Sequence, residues 1–258
     1  MLCREIIGVI EHTYPKQAAL EWDNVGLLVG RTEKEVNKIY VALDPTDEVI
    51  DEAIQRKADM IVTHHPLIFS PLKKITDEHF IGNRVVKLLQ HDISYYAMHT
   101  NYDVLGMAEL SGVIMGLDDT EVLDMTDMEQ LKGIGRVGEL TNEMTLKECC
   151  ELVKEKFHLD TVKVFGDINR KVKRVAISPG SGKSMIKSAI QKKVDVLITG
   201  DIDHHVGIDA VAQELAIIDA GHYGLEHIFI EDMAGYLLKN IDGVLVETAK
   251  ISHPFQVI

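Results

Sequence analysis

Two stretches of the chain arrange apolar and polar residues in the same order. Residues 36 to 63 run as an apolar strand KIYVAL, a polar loop, an amphipathic stretch TDEVIDEAIQRKA with helical spacing, and a second apolar strand DMIVT. Residues 172 to 199 repeat the order as KRVAIS, PGSG, KSMIKSAIQKKV and DVLIT. Short apolar runs flanking a helix-period segment predict a parallel strand-helix-strand unit, because parallel neighbours need a crossover connection. At a constant offset of 136 the two segments align over 28 positions without a gap. Eight pairs are identical: Val36/Val172, Ile50/Ile186, Ala53/Ala189, Ile54/Ile190, Gln55/Gln191, Lys57/Lys193, Asp59/Asp195 and Thr63/Thr199. Most other strand positions exchange one aliphatic for another, so the match follows core-facing chemistry. The pattern predicts an α/β fold of two similar domains produced by internal duplication.

The correspondence continues beyond these units. HDISYYAMHTNYD (91 to 103) lines up with LAIIDAGHYGLE (215 to 226), with PLIFSPLKKITDEHF inserted in the first copy only. His99 and Asp103 then fall over His222 and Glu226, a histidine and a carboxylate four residues apart in each half. A stretch rich in acidic residues and glycine, 117 to 140, separates the halves. It places the domains at 1 to 125 and 126 to 258, with the C-terminal segment packing back on the first domain.

Composition narrows the chemistry. The chain has 258 residues, 46% hydrophobic and 26% charged, and 41 acidic side chains against 27 basic ones give a formal charge of −14. That sign opposes non-specific binding to nucleic acid or to an anionic membrane. No apolar run approaches the roughly 18 residues of a membrane span, and the N-terminus is broken by Arg4, Glu5, Glu11 and His12, unlike a secretory signal. Three cysteines, Cys3, Cys149 and Cys150, provide no disulfide framework, and a reducing cytoplasm is the expected compartment. Twelve histidines against 5% aromatics, several beside each other or near carboxylates, point to a metal site.

His64 and His65 follow a buried strand and precede Pro66, which puts them at the C-terminal edge of a parallel sheet, where α/β folds bind ligands. Neighbours in an extended segment point to opposite sides, so the pair is expected to address two different ions. The histidine-carboxylate spacing places both groups on one helix face, and carboxylates from the two halves are suited to bridging two cations. His99 fits either as a ligand or as a group orienting one. His204 and His205 are expected outside the ligand set. His12, His79, His91, His158 and His253 show no partner pattern and are expected to face solvent, and His227 leaves the ligand face. SPGSGKS (178 to 184) imitates a phosphate-binding loop but has Ile177 where that motif needs glycine, so a tight turn with a capped helix start is expected. Trp22, the one tryptophan, is expected in the core, with stacking on a base as the alternative.

WDNVGLLVG (22 to 30), ALDPTDEVIDEA (42 to 53), ADMIVTHHPLIF (58 to 69), YAMHTNYD (96 to 103), the PGSG turn, LITGD (197 to 201) and DAGHYGLE (219 to 226) together resemble the NIF-three-like family, whose members carry the label GTP cyclohydrolase 1 type 2 homolog. The resemblance runs nearly end to end. It implies a dinuclear metal site between two similar α/β domains, with His64, His65, Asp103, His222 and Glu226 as ligands, and a ring-shaped homohexamer. Gly200 and Asp201 replace the paired histidines in the second half, and no room exists for the extra domain of longer members. Imidazole and carboxylate ligands suit two divalent cations of Zn, Mn, Fe or Co. The expected function is metal-dependent hydrolysis of a purine nucleotide or a phosphoester, with His99 or Asp201 as the catalytic proton donor. The alternative is a non-catalytic metal-binding scaffold or regulatory ring that engages other proteins.

Overall fold

The computed structural model describes residues 1–127, 129–256 and 258. The chain forms two compact units, Met1–Tyr102 with His227–Ser252, and Asp103–Glu226 with His253–Ile258. In chain order the first comprises α1 (Cys3–Thr13), β1 (Gly26–Val29), β2 (Lys38–Ala42), α2 (Asp47–Gln55), β3 (Met60–Thr63), α3 (Phe80–Gln90), β4 (Ser94–Ala97) and the helical turn α4 (Thr100–Tyr102). A π-helical turn, Asp103–Met107, opens the second unit. It continues through α5 (Ala108–Met115), β5 (Asp118–Asp127), β6 (Lys132–Thr145), α6 (Leu146–Lys156), β7 (Lys163–Phe165), β8 (Lys171–Ser181), α7 (Ile186–Gln191), β9 (Val196–Gly200), α8 (His204–Ala212), β10 (Ala216–Asp219) and α9 (His222–Glu226). The chain then returns to the first unit as α10 (Ile228–Asn240) and β11 (Leu245–Thr248).

Both expected strand-helix-strand units form. β2 pairs parallel with β3 and β3 with β4, while β8 pairs parallel with β9 and β9 with β10. The sheet orders are β1-β4-β3-β2-β11 and β5-β6-β8-β9-β10-β7, and in each an antiparallel strand closes the edge beside the third parallel strand. One identical pair of the repeat, Asp59 and Asp195, makes equivalent bonds. Asp59 accepts from the amides of Asn37 and Lys38, and Asp195 accepts from those of Lys173 and Arg174. Lys57 and Lys193 both adopt positive φ, 57° and 54°, at the turn between helix and strand. β3, β4, β9 and β10 are buried along their whole length, which explains their unbroken apolar runs.

The helices show local reasons for their starts. Thr46 accepts from the Val49 amide ahead of α2, whose first turn carries Asp47 and Glu48, and Thr145 and Glu148 form a reciprocal capping box at α6. Three expectations differ from the structure. The division falls at Tyr102/Asp103 rather than 125/126, because β5 pairs with β6 in the second sheet, whereas β11 joins the first by pairing with β2. PGSG is not a tight turn with a capped helix: Pro179 to Ser181 extend β8, and a 3-10 turn, Gly182–Met185, leads into α7 without a side-chain cap. Trp22 lies in a turn and is exposed, not at a helix end in the core. Among the described residues no helix is long and apolar enough to cross a membrane.

Candidate metal centre

In the first unit the C-terminal edges of β3 and β4 bring three imidazoles together. One ring nitrogen each from His64, His65 and His99 lies within 4.8 Å of the others. The His64 and His65 rings are 5.0 Å apart and both neighbour His99, at 5.4 and 5.7 Å. After Thr63 the chain bends and no longer alternates as a strand. A buried frame holds that bend: the Tyr95 and Thr63 hydroxyls both donate to the His65 carbonyl, and Tyr95 Oη accepts from the Leu67 amide at 3.0 Å. Burial pushes the Tyr95 phenol above its ordinary range, so it stays protonated and able to donate.

Each of the three rings has its Nδ1 tied to an oxygen that can only accept. His64 Nδ1 donates to the Met98 carbonyl at 2.8 Å, His65 Nδ1 to Asp44 at 2.6 Å and His99 Nδ1 to Asp23 at 2.8 Å. With the proton on Nδ1, the lone pair of the neutral ring sits on Nε2, the tautomer of a ring oriented for metal binding by its surroundings. Asp23 is fully enclosed, and it also accepts from the Thr100 amide and hydroxyl. Burial raises its carboxyl, but the bonds from His99 and Thr100 outweigh that and bring it down to about 2. It is therefore a fixed anion beneath His99. Asp23 and Asp44 are functional candidates that sequence reasoning missed. Both stand inside motifs of the resemblance, WDN and ALDPTD, and Asp44 also lies two residues past the C-terminal end of β2.

The second unit repeats the device with other groups. α9 spans His222–Glu226, so the i, i+4 pair shares one face, and His222 Nε2 lies 3.0 Å from Glu226 Oε2. His222 Nδ1 donates to Asp201 at 2.7 Å. Asp201 occupies the position equivalent to His65 and adopts φ 58°, outside the ordinary range for a residue with a Cβ. Two glycines make the cluster possible. A Cβ at Gly200 would lie 2.5 Å from the His222 amide nitrogen, and one at Gly180 would lie 2.5 Å from Glu226 Oε1. Gly180, in the PGSG segment, thus opens room for a carboxylate rather than cradling a phosphate. Asp103, in this unit too, begins the π-helical turn, a conformation concentrated at functional sites.

The remaining histidines behave as expected. His204 and His205 are exposed at the start of α8, and His12, His79, His91, His158 and His253 are exposed. His227 is buried at the head of α10. Asp201, expected as a possible proton donor, has its carboxylate engaged with His222.

Residues 1–254 match the family model described as Duf34/NIF3 (NGG1p interacting factor 3). A Clostridium acetobutylicum protein named GTP cyclohydrolase 1 type 2 homolog is 37% identical over 245 residues, covering 94% of this chain and 90% of that one. The crystal structure of a Bacillus cereus protein related to NIF3 superposes with a TM-score of 0.94 at 28% identity, covering 100% and 99% of the two chains. Reduced HcgD from Methanocaldococcus jannaschii superposes with a TM-score of 0.83 at 32% identity over 96% and 97%.

Proposed function

Because the chain belongs to the Duf34/NIF3 family, we propose that it is a metal-dependent hydrolase that binds two divalent cations through His64, His65, Asp103, His222 and Glu226. The observation that carries this reading is the state of the histidines: four imidazoles in two units each give Nδ1 to an acceptor and so present Nε2 as the donor atom. The distance from His222 Nε2 to Glu226 supports it as well. Ligand atoms about 2.1 Å from one cation, at right angles, stand about 3 Å from each other, and these two stand 3.0 Å apart. Without a cation or a second ring proton between them, a lone pair facing a carboxylate is repulsive.

Divalent cations, when bound, acidify water and polarise an electrophilic carbon or phosphorus centre. The residues of the chain supply the rest. Asp44, Asp23 and Asp201 orient three of the rings, and His99, with Nδ1 fixed on Asp23, moves a proton at Nε2. The names of the curated relatives favour a purine nucleotide such as GTP as substrate. A homohexamer is the proposed assembly.

Elemental analysis of the purified protein, with GTP turnover followed before and after chelation, tests the proposal. About two ions per chain and chelator-sensitive turnover are expected. Glu226→Gln should hold one ion or fewer and lose turnover, because a shared anion is what offsets repulsion between neighbouring cations. His204→Ala should keep both. Full double occupancy in Glu226→Gln, or metal loss in His204→Ala, would overturn the ligand assignment. Full metal content without turnover on any nucleotide or phosphoester would favour the scaffold alternative, which the family's description as an interacting factor suggests.

A further inference from the structure

Two large rings stand in solvent beside the histidine cluster of the first unit. Trp22 is 57% exposed and Phe69 55%. Their centroids are 5.8 Å apart at an interplanar angle of 49°, and Trp22 meets His99 nearly edge-on at 5.9 Å. A pair tilted this far does not stack face to face, and both side chains remain more than half exposed. The rings nevertheless stand on fixed backbone. Asp23, next to Trp22, is locked by His99 and Thr100, and Asn24 donates from Nδ2 to the Ile68 carbonyl at 2.6 Å, which ties the Trp22 segment to the Phe69 segment.

We propose that Trp22 and Phe69 form a stacking subsite for a flat heteroaromatic ring of the nucleobase type, placed against His99. This rests on the hydrolase reading above and gives it a recognition element on the protein's own residues. Stacking suits the chemistry, because every base has a π-face that aromatic side chains bind, and the base itself, unlike a phosphate, carries no negative charge for this acidic chain to repel. A second copy of the chain is the competing occupant. The two rings expose on the order of 250 Å² together, well short of the roughly 800 Å² per partner that a stable interface buries. Contact with His99 also makes the patch continuous with the metal cluster rather than with a wider apolar face.

The chain has one tryptophan, so fluorescence excited at the red edge, where its seven tyrosines do not absorb, reports Trp22 alone. The full-length protein, metal-loaded and metal-stripped, would be titrated with guanosine, adenosine and ribose 5-phosphate. Saturable quenching by the two nucleosides and none by the sugar phosphate is expected in both metal states. Phe69→Ala, at an exposed position, should weaken nucleoside binding by roughly 5- to 150-fold with unchanged metal content. Quenching by the nucleosides in a protein that takes up no metal when loading is attempted, as read by elemental analysis, would support the subsite while defeating the metal assignment, so the two readings fail separately. The subsite is overturned by the absence of saturable quenching, by quenching undiminished in Phe69→Ala, or by an emission shift that follows protein concentration alone, which would assign the rings to a second copy.

Discussion

His222 donates its Nδ1 proton to Asp201, and Asp201 stands where the first half of the chain has His65. On the ligand assignment proposed above, duplication has turned a ligand position into one that orients a ligand. Asn in place of Asp201 keeps the size and tolerates the left-handed backbone at φ 58°, but it removes the charge that favours the Nδ1-H tautomer. Asp201→Asn should weaken metal retention about 10- to 100-fold, measured by competition with a chelator, and leave the melting temperature of the metal-free protein within a degree or two. Unchanged retention would mean that Asp201 does not orient His222.

Gly180 tests the reassignment of the PGSG segment. Its φ is +78°, and an added Cβ would meet Glu226 Oε1 at 2.5 Å with His222 Nε2 also close by, at 3.8 Å. Gly180→Ala should cost about 1–2 kcal/mol of stability in chemical denaturation through the positive φ alone. It should also displace the Glu226 carboxylate and lower metal content. Gly243, with φ +73° and open space around it, is the control. Gly243→Ala carries the same backbone cost and should leave metal content alone.

The repeated strand-helix-strand units are legible in the sequence because their periodicity is local: apolar strand, amphipathic helix, apolar strand. The His222 and Glu226 pair is legible for the same reason, since four residues make one helical turn. Features set by distant partners have no such signature. The carboxylate of Asp23 acquires its role from His99, 76 positions along the chain, and Gly180 acquires its role from Glu226. The return of the C-terminal segment to the first domain is expected from the sequence, but its place as a strand beside β2 is set only by long-range pairing. Trp22 defeats the usual rule that large aromatic residues are buried, as the turn holding it is fixed by Asp23 and Asn24 while the ring itself projects outward.

Asp59 and Asp195 offer a test of the duplication in energetic terms. Each carboxylate ties down the start of one strand through two amide donors, at 2.8 and 3.0 Å for Asp59 and at 2.9 Å twice for Asp195. Charge-assisted bonds to partly buried carboxylates contribute about 1.5–3 kcal/mol. With water replacing part of the two bonds at these partly exposed sites, Asp59→Ala and Asp195→Ala should each destabilise the protein by about 2–4 kcal/mol, and by amounts within about 0.5 kcal/mol of each other. A cost several times larger in one half, read from urea denaturation, would show that the two positions are not structural equivalents.

Glu247 should add a surface contribution to the acid sensitivity of the first unit. Its carboxylate on β11 takes Lys38 Nζ at 2.8 Å and Arg56 at 3.0 Å, so the returning strand is pinned to β2 and to the end of α2. The bond from Lys38, then that from Arg56, holds its carboxyl below the ordinary glutamate range, and burial opposes the shift only weakly. A carboxyl whose folded pKa is lowered contributes stability that is complete above its unfolded value, about 4.3, and is lost as the pH falls through the folded value. The group is about three-quarters covered but lies at the surface, so solvent screening limits the contribution to about 1 kcal/mol or less. Glu247→Gln should reduce stability at pH 7 by that amount and shrink the loss between about pH 5 and pH 3, measured by urea denaturation across the range. Equal pH dependence in wild type and variant would place the acid-labile contacts elsewhere, with the Asp47 and Arg84 pair between α2 and α3 as the next to test.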